Sequence, residues 1–203
     1  RPVTLTSWAV DHAIFGLSPA GFHLINDLLH ALISVLVLVL VGRLTGSRVA
    51  ALVSGLAFAL HPLHSEAVNL VTYRTDLLAT LWCVVALTLR ARAGRAGTGT
   101  LTAVAIVACY ALGLGSKESA VTLPGWLALM DVAQGRLTGL RARPTAVLRR
   151  WLPLYGALTL VLAGYLAARS SLVSAQAMPF FGALSETQTV ASVLKIHAFY
   201  LRM

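Results

Sequence analysis

The stretch GFHLINDLLHALISVLVLVLVGR, residues 21–43, is long and apolar enough to decide the fold class. A helix needs about 20 mainly apolar residues to cross a bilayer. Apolar residues make up 58% of the 203-residue chain and charged residues only 11%, whereas a soluble domain usually carries about 25% charged residues. Because so few charges cannot cover a water-facing surface, the composition predicts an all-α transmembrane helix bundle. The expected partner of its outer surface is the lipid bilayer.

Further apolar segments predict a polytopic bundle of six to seven spans. The predicted helices cover residues 21–43, 49–60, 77–89, 99–115, 119–130, 151–168 and 187–203. Three of them are short, since a 12-residue helix is only about 18 Å long, so they either extend into their polar flanks or are re-entrant. The chain begins without an initiator Met, and we expect it to be a fragment of one transmembrane domain of a longer protein.

The formal charge of +9 is distributed in clusters between the apolar segments. If every predicted helix crosses the bilayer, ten of the 16 Lys and Arg residues share one face, which the positive-inside rule makes cytoplasmic. These are Arg43, Arg48, Arg90, Arg92, Arg95, Arg136, Arg141, Arg143, Arg149 and Arg150. This placement argues against nucleic acid as a partner.

The opposite, extracytoplasmic face receives a different set of polar residues. Ionisable groups at membrane depth are costly and are often functional, so the contrast between the two faces predicts an enzyme or a transporter. The residues on this face are Asp11, His12, His61, His64, Glu66, Arg74, Asp76, Lys117 and Glu118.

The segment HPLHSEAV, residues 61–68, follows an uncharged apolar helix. His61, His64 and Glu66 are close enough in sequence to converge, but the pattern is not the zinc-binding H-E-x-x-H. Pro62 disfavours a helical conformation at His61. The alternatives are an interfacial cap, in which the imidazoles bind free backbone groups, and a metal site.

Two further polar pairs lie at predicted helix ends. Asp76 suits a helix N-terminus, where the macrodipole favours a carboxylate, and the neighbouring Arg74 indicates a buried ion pair or an anion site. Lys117 and Glu118 interrupt a long apolar stretch. They either hold each other or bind a phosphate and a hydroxyl.

A polar stripe runs along the first predicted helix. Asn26 and His30 share one face with His23, and Asp27 lies one turn after His23. These side chains must face protein or water, either as a structural hydrogen-bond network or as support for a site.

These motifs resemble those of a known family. The segments RPVTLTSW, GFHLINDLLHAL, HPLHSEAVNLVTYRTDLLATL and LGLGSKESAVTLPGWLALMD occur in the order found in the transmembrane and tetratricopeptide-repeat O-mannosyltransferases and their bacterial relatives. The resemblance covers residues 1–131, and its most specific element is H-P-x-H-[ST]-E-A-V followed by R-x-D. It places the chain in the GT-C superfamily of polytopic glycosyltransferases.

The resemblance implies a glycosyltransferase that moves a sugar, mannose by family, from a polyprenyl-phosphate donor to a protein Ser or Thr hydroxyl. The expected setting is a bacterial plasma membrane with the active site facing outside. His61, His64 and Glu66 would orient the acceptor or the sugar, and Arg74 and Lys117 would bind the donor phosphate together. The supporting residues would be Asp76 and Glu118, which hold the two cations, and Asn26 and His30.

Other features are implied or left open at this point. The main catalytic acid of GT-C enzymes lies in a loop that would precede Arg1, and tetratricopeptide repeats would follow the membrane domain. No metal ligand is assigned and no cofactor is certain, although a divalent metal is an open alternative. Tyr73 stands where animal members have glycine, which leaves the sugar and acceptor open. The alternative function is a transporter or flippase for a lipid-linked or anionic solute, which would need inverted repeats.

Overall fold

The computed structural model describes residues 1–93, 98–136 and 144–174, and every regular element in these ranges is helical. The helices are α1 (Pro2–Phe15), α2 (Pro19–Thr45), α3 (Arg48–Leu60), α4 (His64–Asn69), α5 (Arg74–Arg92), α6 (Thr100–Ser116), α7 (Leu123–Ala133) and α8 (Pro144–Ser174). Single 3₁₀ turns, Val71–Tyr73 and Glu118–Thr122, precede α5 and α7. The all-α prediction is confirmed, and the helix predicted over 187–203 lies outside the described residues.

The chain forms two compact units, Arg1–Leu162 and Ala163–Met203. Helix α5 is the centre of the first unit and packs against α6 on one side and α2 on another, while α2 also packs against α3. The core between α2 and α5 consists of Ile33, Leu77, Leu81 and Val84. In the second unit, the described residues 163–174 are the last part of α8, where Arg169 donates a hydrogen bond to the Tyr165 hydroxyl at 3.1 Å.

A glycine sets the close approach of α3 to α2. A Cβ atom placed on Gly55 would lie 2.9 Å from the Cβ atom of Leu38 on α2, which is closer than two carbon atoms pack. Small residues at such contacts let helix backbones approach and gain van der Waals packing, which is the main attraction between helices in a lipid environment.

The observed helix bounds differ from the predicted ones most where polar residues flank an apolar segment. Helices α2 and α6 start and end within two residues of the predictions, whereas α5 extends three residues beyond each end of the predicted 77–89. Helix α7 starts at Leu123 and not near residue 119, since Pro124 fits the first turn of an α-helix and the preceding residues form a 3₁₀ turn. Helix α8 starts at Pro144, earlier than the predicted 151.

Two helices were not predicted at all. Helix α1 turns polar residues toward the protein, with Thr4 and Asp11 buried, so its pattern does not read as a membrane span. Helix α4 has only six residues and begins at His64. His61 caps α3 in an extended conformation, with φ −68° and ψ 126°, as the following proline predicts.

Two helical segments within the described residues are long and apolar enough to cross a membrane, namely Pro19–Thr45 and Trp151–Ser171. Arg48–Leu60 and Thr100–Ser116 are apolar but shorter. The larger number of spans, six to seven, stays a prediction.

The helix bundle has two chemically different ends, named here after α5. At the α5 N-terminal end lie the starts of α2 and α5 and the last residues of α3 and α6, joined by the contacts of Arg74 with Phe22, of Lys117 with Asp76, and of His30 with Ala59. At the α5 C-terminal end, Arg90 meets Asp131 at the end of α7.

Candidate active site

Arg74, the first residue of α5, is the most deeply buried charged side chain at the α5 N-terminal end, with 0% exposure. Its Nη1 donates to the carboxylate of Asp11 on α1 and, at 3.2 Å, to the Ser7 hydroxyl. Its Nη2 donates to the Phe22 carbonyl at 2.7 Å, and its Nε donates to Oδ1 of Asn26 at 2.8 Å. One guanidinium therefore joins α1, α2 and α5.

Asn26 connects Arg74 to the 61–73 segment, which carries the histidine motif. Its amide nitrogen donates to the carbonyl of Val68 at 3.1 Å and, at 3.4 Å, to that of Leu70. These carbonyls lie at the end of α4 and just beyond it. Because Asn26 is itself fully buried, the pair Arg74–Asn26 fixes how the 61–73 segment lies on α2.

The burial of Arg74 bears on its predicted role as a phosphate-binding cation. A buried charge is stable only when it is paired and hydrogen-bonded, and here the partners are protein groups. A buried ion pair and an anion site were the two alternatives for Arg74, and the structure gives an ion pair with Asp11. A direct contact with the donor phosphate would require these bonds to be exchanged, so that role stays a prediction.

Lys117 is a partly exposed cation at this end of the bundle. Its Nζ donates to both carboxylate oxygens of Asp76, at 2.5 and 2.7 Å, and the two side chains are 28% and 32% exposed. Lys117 has an extended backbone and lies between α6 and the following 3₁₀ turn, and Asp76 lies in the first turn of α5. A lysine ammonium has three N–H donors, and two of them are used by Asp76, so one donor is left for another oxyanion.

The carboxylate partners of the cations differ from those expected. Asp76 is paired with Lys117, and Arg74 is paired with Asp11, for which no role was predicted. Glu118 accepts a hydrogen bond from Arg1 at 3.1 Å. The signal for Asp11 was its position as the single charged residue inside the segment 2–15, but only the folded chain brings it to Arg74.

The histidines of the motif come together with His30 in a ring cluster around Phe58. The His64 ring centroid lies 4.2 Å from that of Phe58, 5.4 Å from that of His30 and 5.8 Å from that of His61. His30 is also hydrogen-bonded through Nε2 to the Ala59 carbonyl at 3.1 Å. Three elements, α2, the end of α3 and α4, thus meet through imidazoles.

The surroundings shift the acid–base properties of this cluster. Burial lowers the pKa of His64, and the nearby His30 and His61 lower it further, because a charged imidazole is poorly solvated there and repelled by its neighbours. Glu66 is exposed, and its carboxylate raises the pKa of the Tyr73 hydroxyl. The carboxylate thereby favours the neutral, protonated form of Tyr73.

We expect the cluster to make the protein less stable in acid. The folded protein holds a proton on His64 less readily than the unfolded chain, whose imidazole titrates near 6.5. Stability linked to His64 is therefore complete above that pH and falls as the pH drops through it. When the pH is lowered from 7.5 to 5.5, the melting temperature of His64→Gln should fall less than that of the wild type. Thermal unfolding at both pH values measures this.

The control for this prediction is His23→Gln, since His23 lies two turns before His30 on α2. It should keep the wild-type dependence on pH. Equal acid sensitivity of His64→Gln and the wild type would remove His64 from the acid response.

No group of three or more His, Cys, Asp or Glu side chains is arranged to hold a metal ion in the described ranges 1–93, 98–136 and 144–174. His30 and His64 contact each other and Phe58 by their rings, and His61 contacts His64.

A second charged cluster, at the α5 C-terminal end, was not predicted. Asp131 is fully buried and accepts hydrogen bonds from Arg90 at 2.8 Å, Arg136 at 2.9 Å and the Tyr155 hydroxyl at 2.9 Å. Arg136 also donates to the carbonyls of Arg90 and Ala93 near the end of α5. The signal was an aspartate directly after an apolar helix, but its partners are 41, 5 and 24 residues away.

Comparison with known proteins gives consistent relatives. Protein O-mannosyl-transferase Tmtc2 of Drosophila melanogaster is 36% identical over 141 residues, which are 66% of this chain and 15% of that protein. Protein O-mannosyl-transferase TMTC2 of Homo sapiens is 39% identical over 87 residues, covering 43% of this chain and 10% of that protein. TMTC4 of Mus musculus is 32% identical over 153 residues, covering 65% and 21%. No protein-family model and no solved structure matches the chain.

The fold and the site define an all-helical protein with bilayer-length apolar helices and a cluster of ionisable side chains at one end of its helix bundle. The chain belongs to the same family as these TMTC proteins. The resemblance found in the sequence motifs is therefore confirmed. The chain spans 15% of the Drosophila melanogaster relative and 10% of the Homo sapiens relative.

Proposed function

We propose that this chain is part of a membrane glycosyltransferase that moves a sugar, mannose, from a polyprenyl-phosphate donor to a Ser or Thr hydroxyl of a protein. Its relatives are named as protein O-mannosyl-transferases, and that name supports the sugar and the protein acceptor. The structural observation that carries the proposal is the accessible Lys117–Asp76 pair. The reaction would take place at the α5 N-terminal end, facing outside the plasma membrane.

The proposed reaction is a direct displacement at the anomeric carbon of the sugar. The acceptor oxygen forms a bond to this carbon while the bond from carbon to phosphate oxygen breaks with inversion. The hydroxyl proton passes to a carboxylate base, and the polyprenyl phosphate leaves with the bonding electron pair. Negative charge therefore grows on the phosphate, and a fixed cation that meets this charge lowers the barrier.

Lys117 is the side chain best suited to meet the leaving phosphate. Its ammonium is already directed by Asp76 at 2.5 Å, so it needs little reorganisation when the donor binds. His61, His64 and Glu66, the exposed or half-buried groups of the 61–66 segment, would orient the acceptor or the sugar. Arg74 would act in part by holding that segment in place through Asn26.

Replacing Lys117 with methionine should lower the rate of sugar transfer about ten- to a hundredfold. A hydrogen bond to a charged group contributes about 1.5–3 kcal/mol, and each 1.36 kcal/mol changes a rate about tenfold. Lys117→Arg keeps the charge and should recover part of the activity. The measurement is transfer of labelled mannose from a polyprenyl-phosphate donor to a Ser- and Thr-containing peptide, using the full-length protein in lipid vesicles.

The matched control is Arg48→Gln, which removes an exposed cation at the other end of the bundle and should leave the rate unchanged. Transfer by Lys117→Met at the wild-type rate would exclude Lys117 as the phosphate-binding cation. Wild-type protein that moves the labelled lipid across the vesicle membrane without transferring sugar would overturn the transferase proposal itself.

A further inference from the structure

Helix α1 buries two polar side chains and exposes several large apolar ones. Thr4 and Asp11 are only 1% and 4% exposed, whereas Leu5, Val10 and Ile14 are 59%, 52% and 66% exposed. The buried polar groups are used by the bundle: Thr4 donates to the Ser116 carbonyl at 3.3 Å, and Asp11 accepts from Arg74.

The contacts of α1 also give its direction. Thr4, near its start, meets Ser116, the last residue of α6. Asp11 meets Arg74, the first residue of α5, and Phe15 packs on Gly21 in the first turn of α2, where a Cβ atom would come within 2.4 Å of the Phe15 ring. Since α1 touches the ends of three helices in turn, it lies across them. If α2 crosses a bilayer, α1 runs close to the plane of the membrane.

The apolar surface of α1 continues into that of α2. Gly16, with φ +61°, ends α1, and α2 begins at Pro19. Helix α2 then exposes Leu24, Leu28 and Leu32, which recur every four residues and so form one stripe along a helix long enough to span a bilayer. The single Asp, Glu, Lys or Arg residue within α1 is the buried Asp11, and the ionisable group on its exposed side is His12 in the last turn.

We propose that the exposed apolar side of α1 is seated in the bilayer at the interface between headgroups and acyl chains, with its polar side bound to the bundle. This rests on the membrane setting of the proposed function, but not on the transferase activity. Interfacial helices bury their apolar side about 5–10 Å into that boundary. The bilayer would thereby hold Asp11 in place for Arg74, which links lipid contact to the geometry of the site.

Depth-dependent fluorescence quenching tests the proposal. Single cysteines replace Val10 or Ile14 in full-length protein in which Cys83 and Cys109 are alanine, and each is labelled with an environment-sensitive dye. The protein is placed in phosphatidylcholine vesicles that carry a nitroxide quencher either high or low on the acyl chain. Dyes at both positions should be quenched several-fold more by the high nitroxide than by the low one.

Two further labelled positions separate the possible failures. Thr72, exposed at the same end of the bundle, provides a reference that should be quenched weakly. Leu32, an exposed residue of α2, reports whether that helix is in the bilayer. Quenching at Leu32 with none above the Thr72 level at Val10 and Ile14 would overturn the interfacial position of α1 alone. Absence of quenching at Leu32 as well would overturn the membrane setting and this proposal with it.

Discussion

Arg74→Ala should destabilise the folded protein by about 3–5 kcal/mol, the usual effect of removing one partner from a buried ion pair. The substitution leaves the Asp11 carboxylate buried without its cation and removes the hydrogen-bond partner of Asn26 Oδ1. It also frees the Phe22 carbonyl. Because these groups belong to α1 and α2, we expect both helices to loosen from the start of α5.

The free cysteines provide the measurement. Cys109 is buried on α6 and Cys83 is half-buried on α5, so a thiol-reactive dye added during heating in detergent reports when the bundle opens. Arg74→Ala should react at a clearly lower temperature than the wild type. Arg92→Ala, which removes an exposed arginine from the other end of the same helix, is the matched control and should react like the wild type.

A double substitution distinguishes the ion pair from simple loss of packing. Replacing a whole buried ion pair with apolar residues is often neutral, whereas breaking it is costly. Arg74→Met together with Asp11→Leu should therefore melt above Arg74→Met alone. If Arg74→Ala melts with the wild type, the pair does not hold the helices together, and a direct role in donor binding becomes the better explanation for Arg74.

Asp131→Ala should have an effect of similar size, about 3–5 kcal/mol, at the opposite end. It leaves Arg90 and Arg136, whose side chains are 5% and 6% exposed, as two like charges with no carboxylate between them. It also removes the acceptor of the Tyr155 hydroxyl. Helix α7 should lose its connection to α5 and α8.

Variants that remove fewer contacts of Asp131 test its stabilising role in the same thermal thiol assay. Asp131→Asn keeps an acceptor oxygen without the charge and should lie between Asp131→Ala and the wild type. Tyr155→Phe removes one hydrogen bond and should cost only about 1 kcal/mol. Asp27→Ala, which removes an exposed aspartate of α2, is the control. Equal melting of Asp131→Ala and Asp27→Ala would show that this cluster does not stabilise the fold.

The two charged residues of the R-x-D element lie in different surroundings. Arg74 and Asp76 are two residues apart, yet Arg74 is fully buried among protein groups, whereas Asp76 is partly exposed and paired with Lys117. On a helix, positions i and i+2 point in different directions, so adjacent members of one motif serve different tasks. In the proposed function, Arg74 would therefore act as a positioning residue, whereas Asp76 lies beside the partly exposed Lys117.

Helix α1 shows why part of the fold escaped prediction. Sequence periodicity finds helices that bury an apolar stripe, but α1 buries Thr4 and Asp11 and exposes leucine, valine and isoleucine. Its helical state is stabilised by contacts with Arg74 and Ser116, which are 63 and 112 residues away from their partners. No local pattern carries that information.

The sequence by itself determined the helical class, the position of α2 and the identity of the motif residues, because each depends on local composition and on residue types at fixed spacing. Only the tertiary structure decided which carboxylate holds which cation: Asp11 with Arg74, Asp76 with Lys117, and Asp131 with two arginines. The physical reason is that ion pairing depends on distances of a few ångströms and on burial. Both are set by how helices pack across the whole chain.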